Sequence, residues 1–251
     1  MTLEGLGLSV PWFDYLPDLW AGLLTTLKFT ISGFVGSIVL GLVVALMRVS
    51  RVALIRAVAS IYTEIFKNLP LITEIYIIYF GLASIGIRFG IFAAATLSFA
   101  LFYGAYVSEV FRGGLQGVPP GQREASLALG MTPRSVTRHI IVPQALRLAL
   151  PGAGTMMVDL LKGTALLVTI GGAELMTQGA IITSTTFRAL EVYLVIGLIY
   201  FSLCYPLSRG VVRLERRLDS GAPLTPSRRR HLKLVDEAMR RRVPRTGDVP
   251  A

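Results

Sequence analysis

Of the 251 residues, 53% are hydrophobic and only 16% charged, and the mean hydropathy of +0.63 excludes an ordinary soluble domain with a charged rind. The net charge of +10 does not indicate nucleic acid, because the Lys and Arg residues gather in connecting stretches and in the tail beyond Tyr205. The single cysteine, Cys204, excludes an intramolecular disulfide and a cysteine-cluster metal site, and the two histidines, His139 and His231, lack neighbours at metal-ligand spacing.

The first eighteen residues hold no Lys or Arg and are interrupted by Pro11 and Pro17, which argues against a cleaved signal peptide. Residues 1–18 read instead as an external segment, with Trp12, Phe13 and Tyr15, together with Trp20 just beyond, as interfacial anchors. A transmembrane region is predicted over residues 19–218, since a spanning helix needs about 20 apolar residues. Its first span runs from about Leu19 to Met47 and stops at Arg48. The second covers about Ala57 to Ile87, the third Phe89 to Ser108, the fourth Ala145 to Val168 and the fifth Val192 to Ser208. Pro70 and Pro151 fall inside the second and fourth, and such breaks are tolerated only where protein or a wet cavity satisfies the freed backbone groups. Each remaining loop then falls on one side of the membrane. The loops holding Arg48, Arg51, Arg56, Arg112, Arg123, Arg134, Arg138 and Arg147 alternate with loops holding only Arg88 and Arg188. That bias of eight against two places the N-terminus outside and the C-terminus in the cytoplasm. The basic tail, 219–251, carries Arg228–Arg230 and Arg240–Arg242 around Leu232, Val235 and Met239. Two readings of it stand, a segment lying on anionic lipid and a solvated, disordered tail.

The stretch 121–143 reads GQREASLALGMTPRSVTRHIIVP and encodes two short helices. Gln122 to Leu129 consists of good helix formers and stops at Gly130, which takes the left-handed C-terminal cap without steric cost. Thr132 suits the N-cap and Pro133 the first position of a second helix ending near Ile141, and Pro143 then restarts the chain as the fourth span. Small Ala125, Ser126 and Ala128 leave room for another surface to approach this hairpin.

These residues resemble the cytoplasmic signature of the permeases of ABC importers, Glu-Ala-Ala, three residues, Gly, nine residues, Ile-x-Leu-Pro. Here Glu124, Ala125, Ser126, Gly130, Ile140 and Pro143 fall at the matching positions, with Ser126 for the second Ala and Val142 for Leu. GAYVSEVFRGG at 104–114, PPGQREA at 119–125 and VPQALRLALP at 142–151 are similar to the polar-amino-acid branch (histidine, glutamine or arginine type). So are EIFKNLPLITEIY at 64–76 and DLLKGTALL at 159–167, although Glu74 stands where Gln is usual and Gly163 and Ala165 replace Asp and Ser.

The resemblance implies an all-α polytopic permease of the type I importer fold, about five transmembrane helices with a cytoplasmic coupling-helix hairpin, in a bacterial cytoplasmic membrane. It implies as partners two cytoplasmic ABC ATPases, a second permease subunit, identical or paralogous, and an extracytoplasmic solute-binding protein that delivers a polar amino acid. No cofactor and no catalytic group follow from it. Consistent with this, the chain has no G-x-x-x-x-G-K-[S/T] loop, so ATP hydrolysis is assigned to a partner. The alternatives are a permease of the same class for a peptide or a metal chelate, and a self-sufficient channel or ion-coupled carrier built on its buried carboxylates.

Charges in the apolar spans cost at least ~2.5 to 3.5 kcal/mol each if left in lipid, so they pair or face a cavity. Glu64, Lys67, Glu74, Asp159, Lys162 and Thr164 are therefore the candidate substrate path. Glu64 with Lys67 and Asp159 with Lys162 are also spaced i,i+3 for ion pairs on single helices. Glu74 has no opposite charge three or four residues away and Thr164 has a free hydroxyl, which makes these two the better cavity candidates. Glu109 is expected to pair with Arg112.

Overall fold

In the computed structural model, residues 11–219 are described, and every regular element among them is helical. The expectations for residues 1–10 and for the basic tail beyond Asp219 lie outside them. Contacts divide the chain into Met1–Leu214, which carries the fold, and Glu215–Ala251, of which only the end of the last helix is described.

Four helical runs are long and apolar enough to cross a membrane, and a bent pair makes a fifth when it is counted as one span. Helix α1 spans Trp12–Arg48, so it begins within the segment expected to be external and continues through Pro17. Its 37 residues span roughly 55 Å, longer than the hydrocarbon core of about 30 Å, so the helix extends beyond it. Helix α5, Ile91–Gln116, is the centre of the bundle and packs along α1. Small residues set its distances to its neighbours: a Cβ on Gly41 of α1 would meet Val107 Cγ1 of α5 at 2.6 Å, and one on Gly114 of α5 would meet the Ala145 carbonyl, in the helix that follows the hairpin, at 2.6 Å. Without a hydrophobic driving force between helices in lipid, such close approach supplies the dispersion energy that holds them. Phe29, Ile75, Phe99, Tyr103, Leu160 and Leu167 form the main apolar core around α5.

The two prolines behave differently. Pro70 pushes Leu69 into an extended conformation (φ −91°, ψ 139°), which ends α2, Ala53–Asn68. The chain restarts as α3, Leu71–Tyr76, continues through a π-turn, Ile77–Gly81, into α4, Leu82–Ser84, and bends by 107° from α2. Pro151, by contrast, lies inside the unbroken helix α8, Val142–Gly163, between the buried Ala149 and Ala153. The expected interruption of the fourth span is thus absent. Nor does Pro143 start a separate helix. A short α7, Pro133–Val136, passes through a π-turn, Thr137–Ile141, directly into α8, and the wide turn accommodates the missing Pro143 N–H at the first positions of α8. A 3-10 segment, Thr164–Ile170, extends it, so Pro133–Ile170 forms one helical rod of 38 residues.

Two further elements close the fold. Helix α9, Leu175–Thr186, lies in the stretch read as a loop and packs with Leu19, Val192 and Ile196 around Leu175 and Ile182. Helix α10, Ala189–Asp219, includes the predicted fifth span with its Pro206 and runs eleven residues past it.

Candidate functional site

The hairpin is built much as its residues dictate. Helix α6 spans Pro120–Ala128 with Pro120 in its first turn, starting two residues before the expected position. Gly130 takes φ +83°, and bonds from its N–H to Leu127 O (2.9 Å) and from Met131 N–H to Ser126 O (3.2 Å) satisfy the last carbonyls. Thr132 caps α7, its Oγ1 accepting from Ser135 N–H at 3.3 Å. Glu124, Ala125, Gly130 and Pro143 are exposed and Ile140 half-buried. Ser126 is not part of the exposed face, because it is buried and its hydroxyl donates to Gln122 O at 2.7 Å. Sequence reading missed the apolar knob: Leu129, 83% exposed, stands at the tip beside exposed Leu127. No periodicity marks it, since a leucine one residue before a glycine cap reads as ordinary helix.

The membrane candidates separate into three groups. Asp159 and Lys162 form the expected pair at 3.8 Å, and both side chains are 57% exposed. Thr155, Asp159, Lys162 and Thr169 share one exposed face of the rod at helical spacing. A polar face of that kind in a spanning helix requires water or protein opposite it rather than lipid. Tyr103 OH, from the core, donates to Asp159 Oδ2 at 3.4 Å.

The second group centres on Glu109. Its carboxylate accepts from Arg48, and from Arg112 Nε at 2.9 Å and Nη2 at 2.5 Å, with Lys67 Nζ at 3.8 Å. The expected Glu109–Arg112 pair is present, but the Glu64–Lys67 pair is not. Lys67 turns to Glu109, while Glu64 is exposed and its Oε2 accepts from Asn68 Nδ2 at 3.4 Å. Three cations on one carboxylate staple the ends of α1, α2 and α5 together, which removes Lys67 from the face formed by Asp159 and Lys162.

The third group is sealed. Glu74 is 2% exposed and neither carboxylate oxygen has a hydrogen-bond partner. Thr164 is buried and its hydroxyl is not free: it donates to Leu161 O at 2.7 Å and lies 3.4 Å from Tyr200 OH. Glu174 was not singled out from the sequence. It is fully buried at the start of α9, where it accepts from Met176 N–H (2.7 Å), Thr177 N–H (2.8 Å) and Tyr200 OH (2.8 Å). Among the described residues, no group of His, Cys, Asp and Glu could hold a metal ion.

Comparison with known proteins places this arrangement. The family model described as "binding-protein-dependent transport system inner membrane component" matches residues 37–220. The probable glutamine ABC transporter permease protein GlnM of Bacillus subtilis (strain 168) is 34% identical over 207 residues, which are 82% of this chain and 96% of the relative. The glutamine transport system permease protein GlnP of Escherichia coli (strain K12) is 35% identical over 81% of this chain and 94% of its own. A crystal structure of an amino acid ABC transporter with histidines superposes with a TM-score of 0.78 at 38% identity, covering 82% of this chain and 96% of that one. The inward-facing MetNI methionine ABC transporter shares the fold, with a TM-score of 0.67 at 23% identity over 82% of this chain and 98% of that one. The chain therefore belongs to the family of inner membrane components of binding-protein-dependent transport systems.

Proposed function

We propose that this chain is the permease subunit of an ABC importer that moves a polar amino acid across the bacterial cytoplasmic membrane, with ATP hydrolysed by partner subunits. The observation that carries this reading is the exposed hairpin, residues 120–141, joined without a break to the polar face of α8. Two cytoplasmic ATPases receive the hairpins of two permease chains, an external binding protein delivers the solute, and Asp159 and Lys162 face the pathway between the permeases. The arginine bias supports an external N-terminus and a cytoplasmic C-terminus.

The mechanism follows from the rod. Closure of the ATPase pair on ATP displaces the hairpin, and a helix continuous from Pro133 to Ile170 carries that displacement to Asp159 and Lys162 as a rigid-body tilt. A helix broken at Pro143 or Pro151 would absorb it. The amino acid's ammonium and carboxylate find Asp159 and Lys162 as opposite charges along that face, and release follows when the tilt separates the two permeases on the other side. ATP-driven closure and substrate passage are in this sense two ends of one equilibrium.

Replacing Gly130 by Val puts a β-branched residue at φ +83° and distorts the cap by an amount worth about 1 kcal/mol or more, while the spans remain folded. In the purified complex, stimulation of ATP hydrolysis by loaded binding protein should fall in Gly130→Val. Intact stimulation would remove the hairpin as the coupling element.

A further inference from the structure

A buried polar network ties α9 to the upper end of the rod. Thr26, Thr164 and Glu174 are fully buried, and they come from α1, the 3-10 segment and the start of α9. Tyr200 of α10 stands between them. Its hydroxyl donates to Glu174 Oε2 at 2.8 Å and lies 3.4 Å from Thr164 Oγ1. Thr26 Oγ1 also accepts from Leu175 N–H at 3.1 Å. Burial of so many polar groups in a membrane span is costly unless each is satisfied, so a shift of one member redistributes the bonds of the others.

Thr164 supplies the variable member. It has one hydroxyl proton and two acceptors, Leu161 O at 2.7 Å and the Tyr200 oxygen at 3.4 Å. With the proton on Leu161 O, Thr164 bonds within its own helix. With the proton on Tyr200, it bonds across to α10. The exchange occurs two residues from Lys162, where the helix passes from α to 3-10 winding. At the other end of α9, Phe187 holds a left-handed backbone (φ 57°) and is 89% exposed, an unusual position for a bulky residue at the α9–α10 corner.

We propose that Tyr200 is a positioning residue that couples α9 to the pathway face of α8 through Glu174 on one side and Thr164 on the other, so that docking at α9 is read at Lys162. This rests on the importer reading, which puts α9 on the outer side, where the binding protein arrives. Docking shifts α9, Glu174 carries Tyr200 with it, and the Thr164 proton changes partner.

The test uses the full complex of permease, ATPase and binding protein in lipid, with amide hydrogen exchange and ATP hydrolysis measured before and after loaded binding protein is added. In the wild type, residues 175–186 and 161–170 should both change exchange. In Tyr200→Phe, which keeps the ring, stimulation of hydrolysis should fall about fivefold while basal hydrolysis stays within about twofold. The exchange change at 175–186 should persist and that at 161–170 should vanish, an effect that a merely structural role would not produce. Where Tyr200→Phe fails to assemble, Thr164→Val reads the same link: it keeps the shape and removes the shared hydroxyl proton, and should also silence 161–170. Wild-type stimulation and exchange in the variants would overturn the relay and leave the importer reading standing. A wild-type complex in which hydrolysis is stimulated but α9 does not respond would likewise overturn the relay alone, whereas a wild-type complex in which loaded binding protein fails to stimulate hydrolysis would overturn the importer reading with it.

Discussion

Single residues divide into those whose partners are written nearby in sequence and those whose partners are not. Asp159 with Lys162 and Glu109 with Arg112 were legible because i,i+3 spacing on a helix forces proximity. Lys67 was not, because Glu109, 42 positions away, outcompetes Glu64 once α2 packs on α5. The two surviving pairs differ in worth. Asp159→Ala removes an exposed pair and should change thermal stability little, about 0 to 1 kcal/mol. Glu109→Ala leaves Arg48, Lys67 and Arg112 facing one another, so the melting temperature of the purified permease should fall clearly further than in Asp159→Ala. Glu74 was legible as unpaired, and its two unsatisfied oxygens bear that out, but it is enclosed rather than lining an open cavity. If this carboxylate meets the solute in its charged form when the pathway opens, it attracts a cation, whereas a neutral one does not. Uptake of arginine, lysine or histidine should therefore fall selectively in Glu74→Gln vesicles that contain the ATPase and the binding protein, and equal rates for all solutes would make Glu74 structural.

At the scale of elements, the hairpin was readable because caps and turns are local chemistry: Gly130, Thr132 and Pro133 each act within four residues. Thr132→Ala should cost about 1 kcal/mol of local stability, seen as faster amide exchange over 133–141 with the spans unchanged. Leu129 was missed because exposure of an apolar residue is a tertiary property. A charge there, Leu129→Asp, should weaken retention of the ATPase by the solubilised permease about tenfold or more, as expected for an exposed apolar anchor, whereas Arg123→Ala should leave it nearly unchanged. Helix α9 escaped notice for a related reason. Its N-cap is a glutamate, which lies outside the usual Ser, Thr, Asp and Asn set although it accepts from Met176 and Thr177 N–H, and a 12-residue helix lacks the length that marks a span. The prolines teach the same lesson. Pro70 breaks its helix because Leu69 becomes extended, while Pro151 sits in a helix held by buried alanines on both sides.

For the whole molecule, apolar length was sufficient to read four crossings, and a fifth where the bent pair counts as one, since lipid admits few backbone solutions. The bend of the second crossing and the continuity of the fourth were not readable, because each depends on neighbouring helices. Topology can be checked at two exposed sites in a Cys204→Ala background. Phe187→Cys should react with an impermeant thiol reagent in intact cells and Leu129→Cys should not, and the reverse pattern would invert the orientation. The central claim, import coupled to ATP in trans, is tested most directly by uptake of radiolabelled amino acids into vesicles holding this permease with its ATPase and binding protein. The account predicts uptake that requires ATP and both partners and that collapses in Gly130→Val. Uptake by the permease alone, without the ATPase, would contradict it and make the chain a self-sufficient carrier.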